Sequence, residues 1–92
     1  MSSAYMYSLQ VAVQWIGLNR HAGWRVIAYV GRQMIGSADF NSPKALLLAF
    51  QSAIPRFDHR VLVRKMEESE TPTVLTAKME LSYQQLRLLG MG

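Results

Sequence analysis

The residues that could do chemistry in this 92-residue chain are few. It has no cysteine, which removes a thiol nucleophile, a thiolate-ligated metal and a disulfide framework together. The histidines are His21 and His59. His59 follows Asp58, and on the extended segment expected there consecutive side chains point to opposite faces, so the two form no orienting pair. His21 has no acidic neighbour in sequence, and nothing around either histidine has metal-ligand spacing. Glycines 17, 23, 31 and 36 never make a phosphate-cradling loop between a strand and a helix. The chain reads as a non-enzymatic protein with no cofactor, no metal and no small-molecule substrate.

Arginine is the chemistry that remains. Seven of the ten cations are arginine, whose planar fork suits phosphate and carboxylate better than an ammonium does. Residues 1–66 hold eight of the ten cations but only Asp39 and Asp58 of the six acids, and the net charge is +4. A basic front of this kind favours a polyanion or an acidic protein face, and is equally consistent with a solvated surface.

Spacing then groups these residues. Arg60 and Arg64 are four apart, about 13 Å along one face of an expected strand, and Lys65 follows. Arg25 and Tyr29 share that spacing on another strand, opposite Trp24, Val26, Ala28 and Val30. If the faces coincide, an open sheet carries Arg25, Tyr29, Arg60 and Arg64, with Lys78 nearby. Such a face could pair phosphates and stack bases. Asn19 and Arg20 in one loop and Arg32 at a tight turn project from the core and are further candidate contacts.

The elements that must position these groups are legible from periodicity. Residues 5–16 alternate, with Tyr5, Tyr7, Leu9, Val11, Val13 and Trp15 on one side and Ser8, Gln10, Ala12 and Gln14 on the other, a strand lying on a core. Gly17 to Gly23 reads as a loop, Trp24 to Arg32 as a second strand, Gly31-Arg32-Gln33 as a turn and Met34 to Phe40 as a third strand. Ser42 can cap a helix with Pro43 at its first position, and Leu46, Leu47, Phe50, Ala53 and Ile54 follow at helical spacing up to Pro55. Phe57 to Met66 is expected to be a fourth strand, with Phe57, Val61 and Val63 on one face and Arg60, Leu62 and Arg64 on the other. Thr73 to Leu81 fits a strand or a helix, and its threonines, Val74 and alternation favour a fifth strand. Ser82-Tyr83-Gln84-Gln85 has capping-box form and opens a short helix closed by Gly90. The expectation is one α+β domain over residues 1–92. It has an antiparallel sheet of four to five strands in the order β-β-β-α-β-β-α, with one main helix on one face.

Residues 29–55, from Tyr29-Val30-Gly31-Arg32 through Asp39-Phe40-Asn41-Ser42 and Phe50 to Pro55, resemble a known unit. It is the strand-turn-strand-helix of small phage-encoded anti-CRISPR proteins that inhibit type I-F systems. The resemblance covers under a third of the chain, and no contact residue is carried over from it. It implies a partner, the RNA-guided surveillance complex of a host bacterium, and a function, blocking target DNA hybridisation. A +4 chain cannot imitate DNA in a basic channel. The expected contacts are therefore acidic patches on backbone subunits, guide-RNA phosphates or both. Two other readings stay open: a small basic RNA- or DNA-binding regulatory domain, and a module that homodimerises through an edge strand or the Leu48 surface. No apolar run reaches the roughly 20 residues of a membrane span, and Met1 to Tyr7 lacks a positive n-region. The cytoplasm of the host bacterium is the expected place of action, with no membrane partner.

Overall fold

The structure, a computed structural model, describes residues 6–18 and 22–91. Strands β1 (Met6–Trp15), β2 (Trp24–Val30) and β3 (Gln33–Phe40) form a meander. Helices α1 (Pro43–Ala53) and α2 (His59–Glu67) follow, then strand β4 (Thr73–Ser82) and helix α3 (Tyr83–Leu88). The four strands make one antiparallel sheet in the order β3-β2-β1-β4. The fold class is α+β, as the periodicity predicts. Among the described residues no helix is long and apolar enough to cross a membrane.

Alternation decides which face of the sheet is covered. Leu9, Val11 and Val13 of β1, Trp24, Val26 and Ala28 of β2 and Leu81 of β4 pack with Leu46 and Phe50 of α1, Leu62 and Met66 of α2, and Leu86 of α3. Every helix thus lies on one face, and the other face is open. The Ser42 hydroxyl accepts from the Ala45 amide at 3.2 Å, so the cap expected for α1 is formed. Phe50 is fully buried with its ring 5.2 Å from that of Phe57. At α3 the capping box closes in both directions: Gln85 N–H donates to Ser82 Oγ at 3.2 Å, and Ser82 N–H to Gln85 Oε1 at 2.9 Å. The β2–β3 turn has Gly31 at φ 60° and no positive φ at Arg32, the pattern of a type II′ hairpin that starts on glycine.

One element departs from expectation. Residues 59–67 are helix α2, not a fourth strand, so the order is β-β-β-α-α-β-α. The Asp58 carboxylate accepts from the Arg60 amide at 3.1 Å and starts the helix. Leu62 and Met66, one turn apart, are the buried pair, while Val61 is 47% exposed. The strand reading placed Leu62 with the solvent-facing arginines and Val61 in the core, the reverse of what forms. Residues 73–82 settle as the strand β4.

Candidate functional site

The open face of the sheet is ordered by strand register. Arg25 of β2 stands opposite Asp39 of β3 and Gln14 of β1, Ile27 opposite Ser37 and Ala12, and Tyr29 opposite Met34 and Gln10. On β4, Thr76 and Lys78 continue the rows of Ala12 and Gln10, and Glu80 that of Ser8. A β-bulge after Ala28 sets Met34 rather than Ile35 beside Tyr29, which keeps both on this face.

A shallow depression lies on the face, lined by Gln10, Ala12, Gln14, Tyr29, Gly31, Arg32, Thr73 and Thr76. Besides the small Ala12 and Gly31, the lining groups are amides, hydroxyls, a phenol and a guanidinium. These groups both donate and accept hydrogen bonds, and Tyr29 adds a flat apolar surface. Tyr29 and Arg32, which the sequence offers separately on a strand face and at a turn, both line it. Gln10, Gln14, Thr73 and Thr76 complete the lining and are not among the residues the sequence points to. The signal for the glutamines was present, since both fall on the polar side of the β1 alternation.

The basic surface expected on this face does not assemble. Arg25 donates from Nε to Asp39 Oδ1 at 2.7 Å and from Nη2 to Oδ2 at 3.0 Å. The hydrogen bond from Arg25 holds the Asp39 carboxyl below the usual carboxylate range, and Asp39 in turn raises the Arg25 guanidinium. Arg25 is thereby committed to a neighbour. Arg60, Arg64 and Lys65 belong to α2, on the covered side of the sheet, because the segment that carries them is helical. Arg60 Nε lies 3.4 Å from Asp58 Oδ1. Arg64 and Lys65 occupy the last turn, where positive charge offsets the carbonyl end of the helix dipole. Asn19 and Arg20 lie outside the described residues. The open face therefore carries Arg25, Arg32 and Lys78 against Asp39 and Glu80, close to balance.

Asp58 and His59 do not act as a pair, though not for the reason strand geometry gave. Asp58 caps α2, and its carboxyl is held low chiefly by the Arg60 backbone amide. His59 Nε2 sits 3.2 Å from Gln51 Nε2 across the α1–α2 pair. Among the described residues no group of three histidines and carboxylates is placed to hold a metal ion.

Scans against protein-family models, curated proteins and solved structures find no match to this chain.

Proposed function

We propose that this chain is a non-enzymatic inhibitor that docks its open sheet face on protein subunits of an RNA-guided type I-F surveillance complex and so blocks target DNA hybridisation. The supporting observation is how residues 29–55 fold. The segment that carries the resemblance spans the end of β2, a glycine-led hairpin, β3 and a Ser42-capped α1. The unit sets Tyr29 and Arg32 at the depression on the uncovered face.

The electrostatics favour a protein partner over guide RNA. A phosphate-tracking surface needs free cations in a row, and here Arg25 is paired while Arg60, Arg64 and Lys65 are turned to the helical side. A face that is near-neutral, aromatic and amide-rich is the composition of a protein contact. Obstruction is sufficient for inhibition, because replacing DNA pairing by guide pairing is nearly balanced in free energy and a blocked seed cannot start it. The place of action follows from the target: the host cytoplasm, where the complex assembles.

The test is competition between target DNA and this protein for guide-loaded type I-F complex. Tyr29→Ala and Arg32→Glu should each weaken the block, and Arg64→Glu should not. Tight binding to naked RNA with none to the complex would instead assign the chain to the nucleic-acid-binding regulatory domains.

A further inference from the structure

The outer edge of β4 carries a pattern that the open face does not use. Among the described residues no strand pairs with this edge. A bulge lies near its start, opposite Val13 and Gln14, and from Leu75 to Ser82 the register is regular. The strand is ten residues long and exposes Thr76, Lys78 and Glu80 on one face. A long, regular, unpaired edge is a template for another strand, and proteins commonly blunt such an edge with a bulge or a lone lysine. The opposite edge, β3, is interrupted by its own bulge, and its Asp39 is already paired with Arg25. On β4 the bulge is confined to one end, and Lys78 is followed two residues later, on the same face, by Glu80. Neither has an ion-pair partner among the described residues.

We propose that two copies of this chain pair antiparallel through the outer edges of β4, about a twofold axis at Met79. In that register Lys78 of each copy stands directly opposite Glu80 of the other, and the ladder ends before Ser82, whose N–H is already donated to Gln85 Oε1. Side chains directly opposite in an antiparallel pair have Cβ atoms about 4.5–5.5 Å apart, within reach of an ion pair. The twofold makes both ion pairs from one. The same charges reject the neighbouring registers. Sliding by two residues one way puts Lys78 opposite Lys78, and sliding the other way puts Glu80 opposite Glu80, both destabilising. The axis is perpendicular to the sheet, so the buried face of one copy continues into the buried face of the other, with Met79 meeting Met79 there.

Among the described residues the chain after β4 leads away from this edge. After Ser82 it turns onto the covered face, where Gln85 Nε2 donates to the Ala53 carbonyl at 3.2 Å and Leu86 and Leu89 are buried. It then reaches β3 at the far edge of the sheet, since a Cβ on Gly36 would lie 3.1 Å from Met91 Cβ. The product is a continuous eight-stranded sheet with all helices on one side and two copies of the open face on the other. The pairing concerns the purified chain alone and stands apart from the identity of any partner.

The experiment is sedimentation equilibrium of the full chain over a wide concentration range, on wild type and four charge-altered samples. Wild type should show a monomer–dimer equilibrium. Lys78→Glu and Glu80→Lys each replace two attractive pairs by two repulsive ones, and each should raise the dimer dissociation constant by roughly tenfold or more. An equimolar mixture of those two variants should dimerise again, because the heterodimer has opposite charges at both positions. The double variant K78E/E80K should also recover, since the swap restores both pairs. Both residues are exposed, so thermal melts of the variants should match wild type. A wild type that stays monomeric at every concentration reached overturns the proposal, and so does failure of the mixture and the double swap to regain the dimer.

Discussion

Arg25 on β2 and Asp39 on β3 stand directly opposite each other and share two hydrogen bonds, at 2.7 and 3.0 Å, in a fork-to-carboxylate pair. This one contact changes what the open face can bind. A guanidinium that the sequence offered to an external anion is already satisfied from inside the sheet, and the remaining charge on the face is nearly even.

The pair also has a pH signature. Arg25 holds the Asp39 carboxyl below its unfolded value, so the stabilisation is present above about pH 4 and is lost as pH falls through the lower folded value. Asp39→Asn should therefore flatten the acid end of the stability profile while leaving the neutral plateau's shape unchanged. Denaturant midpoints measured from pH 2 to 7 for both proteins check this. Identical acid slopes would show that the pair contributes nothing measurable, as some exposed ion pairs do.

Phe50 tests the core. Its ring is fully buried between α1 and the sheet and lies 5.2 Å from Phe57. Phe50→Ala should cost about 3–5 kcal/mol, the range for removing a buried aromatic ring that the surroundings cannot refill. An unchanged urea midpoint would be incompatible with this packing.

Ser82 tests the junction where the edge strand turns onto the core. It is both the last residue of β4 and the N-cap of α3, with the reciprocal bonds to Gln85. Ser82→Ala should cost roughly 1 kcal/mol, the usual value of an N-cap side chain. Hydrogen exchange should rise first at the Gln85 amide, which loses its acceptor.

What the sequence revealed depended on whether one period dominated. In β1, five apolar or aromatic residues at odd positions, Tyr7 to Trp15, leave no competing helical pattern, and in α1 the Ser42-Pro43 start removes the ambiguity. In residues 57–66 two periods overlap. Val61 and Val63 suggest alternation, whereas Leu62 and Met66 form a helical stripe and Asp58 is an available cap. β-Branched residues tilted the reading to strand, and burial of a single side of a short helix overrode them. The site suffered in consequence. Arg60 and Arg64 keep their common face but on a helix, about 6 Å apart along its axis, and on the wrong side of the sheet. The Arg25–Asp39 pair was invisible for another reason: it depends on the β2–β3 register, and a bulge after Ala28 lies within that hairpin.

Gly36 of β3 and Met91, beyond α3, bring distant parts of the chain into contact. A Cβ at Gly36 would come within 3.1 Å of Met91 Cβ and 3.2 Å of its carbonyl oxygen, so Met91 must shift by a few tenths of an ångström. Gly36→Ala should destabilise the full chain, and the loss should shrink when residues 91 and 92 are deleted. A double-mutant cycle measures this, and a coupling of order 1 kcal/mol is expected for residues in direct contact. Strict additivity would mean that Met91 does not rest on β3.

The last prediction separates the two sides of the molecule. If the open face makes the functional contact, affinity for the guide-loaded complex must respond to Tyr29, Arg32 and Gln10, which border one depression. Tyr29→Ala removes the only ring among the described lining residues, and buried tyrosines at the centre of a contact commonly cost 2 kcal/mol or more, roughly thirtyfold in affinity. Gln10→Ala should cost less, since an amide at the rim exchanges protein partners for water. On the helical side, Arg60→Glu, Arg64→Glu and Lys65→Glu change the net charge as much as Arg32→Glu does but touch no part of that face. Binding should therefore discriminate position from charge. Salt dependence adds an independent reading, because a contact built on phosphates weakens steeply with added salt and a near-neutral protein contact does not. A steep salt slope together with losses at Arg60, Arg64 and Lys65 would move the interface to α2 and make guide RNA the partner.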